Sequence, residues 1–297
     1  MNYIRSPLNY IGGKYKLLDS IIPKFPNKIG KFVDLFCGGF NVGINVSADI
    51  VYANDQISYI IDLYKYFQRI DTDELIKRIE ERISEYKLSH ENKDAYVRLR
   101  EEYNRTRNNI DLFVLTCFSY NHQIRFNSKH EFNTSFGMRR YNENIKSNLI
   151  RFCNALHSKN FMFSSVDFRS FDFSILSEGD FVYCDPPYSI STASYNDGKR
   201  GFNGWSNKDD IDLFHLLDSL NDKGILFALS NVTEHKGMQN NSLINWSKSY
   251  NTIDIETDYS AASYNLKNRY CETHEVLITN FKTKKSRTEV VSANKLF

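Results

Sequence analysis

Six short apolar runs constrain the fold of this chain more than any other feature. Residues 32–36 (Phe-Val-Asp-Leu-Phe) and 50–55 (Ile-Val-Tyr-Ala-Asn-Asp) end in turn-forming or acidic residues, and runs at 161–166, 181–184, 225–229 and 275–278 share their texture. Continuous apolar stretches of this length read as strands buried on both faces. Helical spacing separates several of them. Strands alternating with helices imply an α/β fold with a doubly wound, mostly parallel sheet, in which ligands bind at the carboxyl ends of the strands.

Between residues 56 and 157 the spacing is helical throughout. Thr72 is positioned to cap a helix carrying Ile76, Ile79, Ile83 and Tyr86 on one face, and Ile145, Leu149, Phe152 and Leu156 mark another. Residues 110–118 read as a buried helix and 208–220 as a helix between later strands. The expected organisation is a catalytic domain in two parts, residues 1–55 and 158–281, interrupted by a mostly helical domain at 56–157. A basic tail follows at 282–297, with Lys282, Lys284, Lys285 and Arg287.

The five cysteines are scattered and odd in number, without the spacing of a zinc site or a disulfide framework, so a reducing, cytosolic compartment and no bound metal are expected. No apolar leader or membrane-length stretch is present. The formal net charge of +2 is too small to announce a polyanion partner. Its distribution is more telling. Residues 105–146 hold Arg105, Arg107, Arg125, Lys129, Arg139, Arg140 and Lys146 against Asp111, Glu131 and Glu143, with aromatic and Asn side chains interleaved. Cations for phosphates beside planar groups for bases make a nucleic-acid footprint, although a solvated basic face has the same composition.

The chemistry-bearing residues follow the runs. Cys37 to Gly43 after the first run supplies small residues where backbone can approach a nucleotide-like ligand, and Asp55 after the second can accept ribose hydroxyls or cap the next helix. Gly12-Gly13-Lys14 lacks the spacing of a phosphate-binding loop, so Lys14 is expected to meet a carboxylate or a DNA phosphate. After the fourth run comes Asp185-Pro186-Pro187-Tyr188. The prolines fix the backbone and remove two N–H donors, leaving Asp185 and the Pro186 carbonyl as acceptors for both hydrogens of an exocyclic amine, with the Tyr188 ring as a stacking face. Such a clamp favours a tetrahedral, nucleophilic nitrogen. By itself it leaves adenine and cytosine both open.

With these motifs in this order, residues 6–281 resemble the alpha group of DNA adenine-N6 methyltransferases, the family of the Dam methylases. The resemblance implies a Rossmann-like methyltransferase fold with an inserted helical DNA-recognition domain, S-adenosyl-L-methionine as cofactor and a flipped adenine in double-stranded DNA as substrate. It implies catalysis by Asp185, Pro186, Pro187 and Tyr188. Cofactor contacts are implied for Tyr10, Gly12, Gly13, Lys14, Asp34, Phe36, Gly38, Asp55, Asp167, Phe168 and Asp185, and DNA contacts for Asn121, Arg125, Asn127, Asn133, Arg139 and Tyr195. A restriction-modification setting with a separately acting endonuclease, and a cytoplasmic protein that is bacterial or phage-encoded, belong to the same expectation. One departure stands out. Phe40 occupies the place of the second glycine in the family's first loop, so that loop is expected to bend differently. The alternatives are N4-cytosine methylation, for which Ser in place of Asp185 is usual, an RNA or protein-glutamine methyltransferase, and a DNA-binding relative without catalysis.

Overall fold

The computed structural model describes residues 3–192, 204–255 and 273–283. The six apolar runs become β1 (Lys31–Asp34), β2 (Ile50–Asn54), β3 (Phe161–Ser164), β4 (Phe181–Cys184), β5 (Leu226–His235) and β8 (Thr273–Thr279). Two further strands, β6 (Met238–Gln239) and β7 (Asn251–Asp254), are short and polar. The sheet runs β3-β2-β1-β4-β5-β8-β7, with β6 paired to β5. Neighbours from β3 to β5 are parallel, and β8 is antiparallel to both β5 and β7.

Side chains alternate across this sheet, so the central runs feed two cores. Phe32, Phe181, Tyr183, Ala228 and Leu277 fill one face. Val33, Leu35, Val182, Phe227, Leu229, Val276 and Ile278 fill the other, against α8 (Asn207–Asp222) and α9 (Asn241–Ser247). The remaining helices are α1 (Leu18–Ile21), α2 (Ser58–Arg69), α3 (Thr72–Tyr86), α4 (Lys93–Thr106), α5 (Asn109–Phe118), α6 (Glu143–Ser158) and α7 (Ser189–Thr192).

Within the helical stretch, α2 and α6 belong to the sheet layer. Gln68 of α2 donates to the Phe161 carbonyl of β3 at 2.9 Å, and α6 meets α2 through His157 and the Phe67 carbonyl at 3.0 Å. The helices α3–α5 extend the same core outward through Leu75, Tyr96, Leu99 and Phe113. Buried Asp111 of α5 receives Arg82 of α3 on both oxygens, at 2.6 and 2.9 Å, a fork geometry that fixes the helix pair. The cap of α3 is Asp71 rather than Thr72. The Asp71 carboxylate accepts from the Asp73 and Glu74 amides, while Thr72 turns inward to Asn154.

Candidate active site

The strand order reverses between β1 and β4, which opens a crevice at their carboxyl ends. Four of the five parallel strands, β1 to β4, are each ended or followed by an acid. Asp34 ends β1, Asp55 follows β2, Asp167 lies just beyond β3, and Asp185 follows β4.

The loop after β1 is held from below by two of these acids. Asp34 accepts from the Gly43 amide at 2.9 Å, and Asp55 accepts from the amides of Gly38 and Ile57, both at 2.9 Å. Asp55 thus ties the loop to the entrance of α2. Burial pushes the Asp34 carboxyl up to about 8; the Gly43 hydrogen bond opposes that, and the charges of Asp185 and Asp55 reinforce it. Burial likewise raises Asp55 to about 6 against its two backbone hydrogen bonds. Three further side chains complete the loop, and of these only Tyr64 lies outside the runs and motifs of the sequence. Tyr64 of α2 donates to the Gly38 carbonyl at 2.7 Å, Asn54 bridges the Leu35 and Val166 carbonyls, and Asn41 accepts from the Ser6 amide.

Gly38 is in the left-handed region at φ 44°, and a Cβ there would lie 2.9 Å from the Tyr10 ring, so the N-terminal segment seats directly on this glycine. Gly13 donates to the Tyr10 carbonyl, closing a turn over Gly12, which has φ 82° and open space around its Cβ position. At the place of the family's second glycine the chain turns through a non-glycine residue. Phe40 itself adopts φ 57°, the conformation a glycine would supply, and its fully buried ring packs on Tyr64, Phe152, Phe161 and Phe163. Side-chain burial offsets the backbone strain.

Lys14 leads from this turn to the segment Asp185-Pro186-Pro187-Tyr188. Its ammonium is buried, 2.8 Å from Asp185 Oδ1 and 3.3 Å from Glu275 Oε1, and stands 5.1 Å from the centre of the Tyr188 ring. Of the two partners expected for Lys14, a carboxylate or a phosphate, the fold supplies the carboxylate. The Tyr188 hydroxyl lies 3.0 Å from Asp185 Oδ1 and 3.1 Å from Glu275 Oε1. Both bonds to Asp185 fall on Oδ1, and Oδ2 has no partner among the described residues. Burial alone would lower the Lys14 ammonium, but the two carboxylates outweigh it and leave it above its ordinary value. For Asp185, burial raises the carboxyl, Lys14 pulls it back, and the net direction is upward. Pro186 is buried and Pro187 exposed. Glu275 is absent from the sequence-level set; its one mark there is a lone acid heading an apolar run.

Beyond β3, the Asp167 carboxylate is exposed and paired with Arg169, which also reaches Asp209 and Asp212 of α8. Phe168 is buried beside Phe36 and Trp205, whose rings lie 5.5 Å from it and from each other.

After α5 the chain doubles back, with bridges Ser119–Phe136 and Phe126–Phe132. Gly137 permits this, since a Cβ there would sit 2.4 Å from the Ser119 backbone. Asn121 is left-handed, and its carbonyl accepts from Asn9 at 2.7 Å, which joins this segment to the turn carrying Tyr10 and Lys14. Arg139 reaches the Asn121 side chain at 3.4 Å. Asn133 and Arg139 are exposed, and Arg125 is half-buried. Asn127 differs from these. Its amide bonds Glu131 and accepts from the Lys129 and Glu131 backbone, so its polar atoms are consumed in shaping the hairpin. The basic stretch is also narrower than its sequence suggests, because Arg105 pairs with Glu102, Arg107 with the His130 carbonyl and Lys146 with Glu80. Tyr195 lies outside the described residues.

Among the described residues there is no cluster of metal-binding side chains, and no helix is long and apolar enough to cross a membrane. Cys37, Cys117, Cys153 and Cys184 are free thiols, all buried.

Comparison with known proteins agrees with this geometry. A profile of the D12 class N6 adenine-specific DNA methyltransferases matches residues 10–261. Type II methyltransferase M.FokI of Planomicrobium okeanokoites is 48% identical over 282 residues, covering 94% of this chain and 43% of the relative. Modification methylase StsI of Streptococcus sanguinis is 49% identical over 286 residues, covering 95% and 44%. A DNA adenine methylase of Escherichia coli K12 is 27% identical over 232 residues, covering 76% and 80%. The chain therefore spans less than half the length of the first two relatives.

Proposed function

The chain is a member of the D12 class N6 adenine-specific DNA methyltransferases, and from that membership we propose that it transfers a methyl group from S-adenosyl-L-methionine to N6 of an adenine flipped out of duplex DNA. The observation that carries this reading is the state of Asp185. It follows β4, whose neighbour β1 marks the reversal of strand order, and Lys14 and Tyr188 both bond its Oδ1 and not its Oδ2.

The donor set suits the cofactor. Acidic side chains suit its hydroxyls and amines: Asp55 for the ribose and Asp167 beside the Phe36 and Phe168 rings for the adenine, with Asp34 holding the Gly43 end of the loop and the Tyr10, Gly12, Gly13 and Gly38 turns left for the remainder. What the cofactor supplies when bound is an electrophilic methyl group on a sulfonium.

The rest is done by the chain. Asp185 Oδ2 and the Pro186 carbonyl take the two amino hydrogens, which localises the nitrogen lone pair toward the methyl. The Tyr188 ring lines the base pocket. Because N6 is paired inside a duplex, the adenine must leave the stack to be held this way. Arg125, Asn121, Asn133 and Arg139 then contact DNA, with α3–α5 and the hairpin beyond α5 forming the recognition part. Phosphate contacts position the duplex and base contacts select the sequence. The names of the relatives support a modification role; a separately acting restriction endonuclease and a cytoplasmic, bacterial or phage-encoded setting belong to the proposal.

Mass spectrometry of nucleosides from duplex DNA incubated with the protein and S-adenosyl-L-methionine tests the proposal. N6-methyladenine is the expected product, and N4-methylcytosine alone would overturn it. Asp185→Ala should abolish transfer with DNA affinity preserved. Arg125→Ala should weaken DNA binding more than cofactor binding.

A further inference from the structure

Transfer to an amine needs a negative charge where the proton leaves, and Lys14 on Asp185 works against that need. A buried lysine bonded to Asp185 Oδ1 at 2.8 Å would, with no other partner, cancel the carboxylate that must hold the amine. Glu275 changes the balance. It is 7% exposed, it stands at the start of β8, and its Oε1 meets both Lys14 and the Tyr188 hydroxyl. The antiparallel direction of β8 is what makes this contact possible. Val232 pairs with Glu275 near the carboxyl end of β5, so the beginning of β8 reaches the same edge as Asp185. A parallel strand would have delivered its first residues to the opposite edge.

Resting on the methyl-transfer reading, we propose that Glu275 sets the charge of the transfer site: by sharing Lys14 with Asp185 it leaves the cluster one negative charge in excess, so that Asp185 accepts the proton released on methylation. As the N6–methyl bond forms, the donor's bond to that methyl breaks. N6 then carries the methyl, two hydrogens and a positive charge. One hydrogen passes as a proton to Asp185 Oδ2, leaving a neutral methylamino group. Lys14, Asp185 and Glu275 go from one net negative charge to none. With a neutral side chain at 275, the same transfer would end with an uncompensated positive charge in a buried site, which low dielectric opposes.

The other groups facing Asp185 do not supply this charge. Burial keeps Asp34 on β1 protonated to about pH 8, and it holds the Tyr183 and Cys184 side chains of β4 well above their ordinary values, hence neutral. Tyr183 is in addition bonded to Ser230. Tyr188 is raised in the same way, and its hydroxyl bridges the two acids. Glu275 acts through Asp185 and is a positioning residue.

Three measurements on the full chain test this: single-turnover methyl transfer across about pH 5 to 9, affinity for the same duplex, and carboxyl 13C titration of Asp185 in cofactor-free protein, assigned with Asp185→Asn. Glu275→Gln is expected to lower the plateau rate by about tenfold or more while leaving DNA affinity nearly unchanged. Removing a negative neighbour also lowers the Asp185 carboxyl, so the acid limb of the rate profile and the 13C midpoint both move to lower pH. Glu275→Asp keeps the charge but withdraws it by one methylene, and its rate and midpoint should fall between the other two. If the Gln variant does not fold, the Asp variant against wild type carries the comparison. A wild-type plateau in Glu275→Gln, or a slow variant whose limb and midpoint stay in place, overturns the proposal and leaves Glu275 a packing role. Should wild type make no N6-methyladenine, the methyl-transfer reading fails separately, and an unmoved 13C midpoint would still refute the charge role.

Discussion

Phe40 allows backbone strain and side-chain burial to be separated by two substitutions. It sits at φ 57° with its ring fully buried among four aromatic neighbours. Phe40→Ala deletes the ring and keeps a Cβ in the left-handed conformation, so it should lose about 3–5 kcal/mol. Phe40→Gly deletes the same ring but relieves the Cβ clash, which returns about 1 kcal/mol. Glycine should therefore be the more stable of the two, the reverse of their order in a helix. For a chain of this size the gap corresponds to about 2 °C in Tm, resolvable by differential scanning calorimetry. A second arm uses Gly43, where an added Cβ would lie 2.2 Å from Phe40 Cε2. Gly43→Ala should be far less costly in the Phe40→Gly background than in wild type, a non-additivity that marks direct contact. An alanine variant as stable as the glycine variant would refute the strained loop.

Asp34 holds its proton to about pH 8 when folded, against an ordinary carboxylate value of 3.8. Between those limits the folded chain binds more protons than the unfolded one, so this group's contribution is complete below about pH 4 and is lost as pH rises toward 8. Asp34→Asn should flatten that part of the stability profile in melting scans, and an unchanged slope would count against the buried acid. Tyr64→Phe removes the donor to the Gly38 carbonyl and should cost about 1–2 kcal/mol with weaker cofactor binding by equilibrium dialysis; unaltered affinity would remove Tyr64 from the loop's support.

The parallel half of the sheet was legible because its central strands β1 and β4 are buried on both faces, and even edge strand β3, with Met162 exposed, keeps an apolar run. β7 was not, since Asn251-Thr252-Ile253-Asp254 lies at the sheet edge, where a polar sequence suffices once β8 supplies the hydrogen bonds. The same pairing carries β5 to His235, beyond its apolar run. Asp71 and Thr72 are both good capping residues, and only the packing of Thr72 against Asn154 decides between them. The positive charge of residues 105–146 is partly balanced from outside that stretch, which a sequence cannot tell, because Lys146 reaches Glu80, 66 residues away. Glu275 was hidden for a related reason. Its partner Tyr188 is 87 residues distant, and no local spacing records an antiparallel strand that returns to the catalytic edge.

The stretch from Asn9 to Lys14 has an effect on how variants of this site must be read. Asn9 holds the Asn121 carbonyl, Tyr10 lies on Gly38, and Lys14 holds Asp185 and Glu275, so six consecutive residues join the segment proposed to contact DNA, the glycine loop and the proposed catalytic acid. Weak cofactor binding in a Lys14→Met variant would therefore not identify Lys14 as a cofactor contact, since the substitution also leaves two buried carboxylates without their cation. Lys14→Met combined with Glu275→Gln removes one charge of each sign and keeps the cluster at the wild-type net charge. If Lys14 acts through charge balance, the double variant should recover cofactor affinity that the single one loses. If Lys14 touches the cofactor directly, neutralising Glu275 restores nothing.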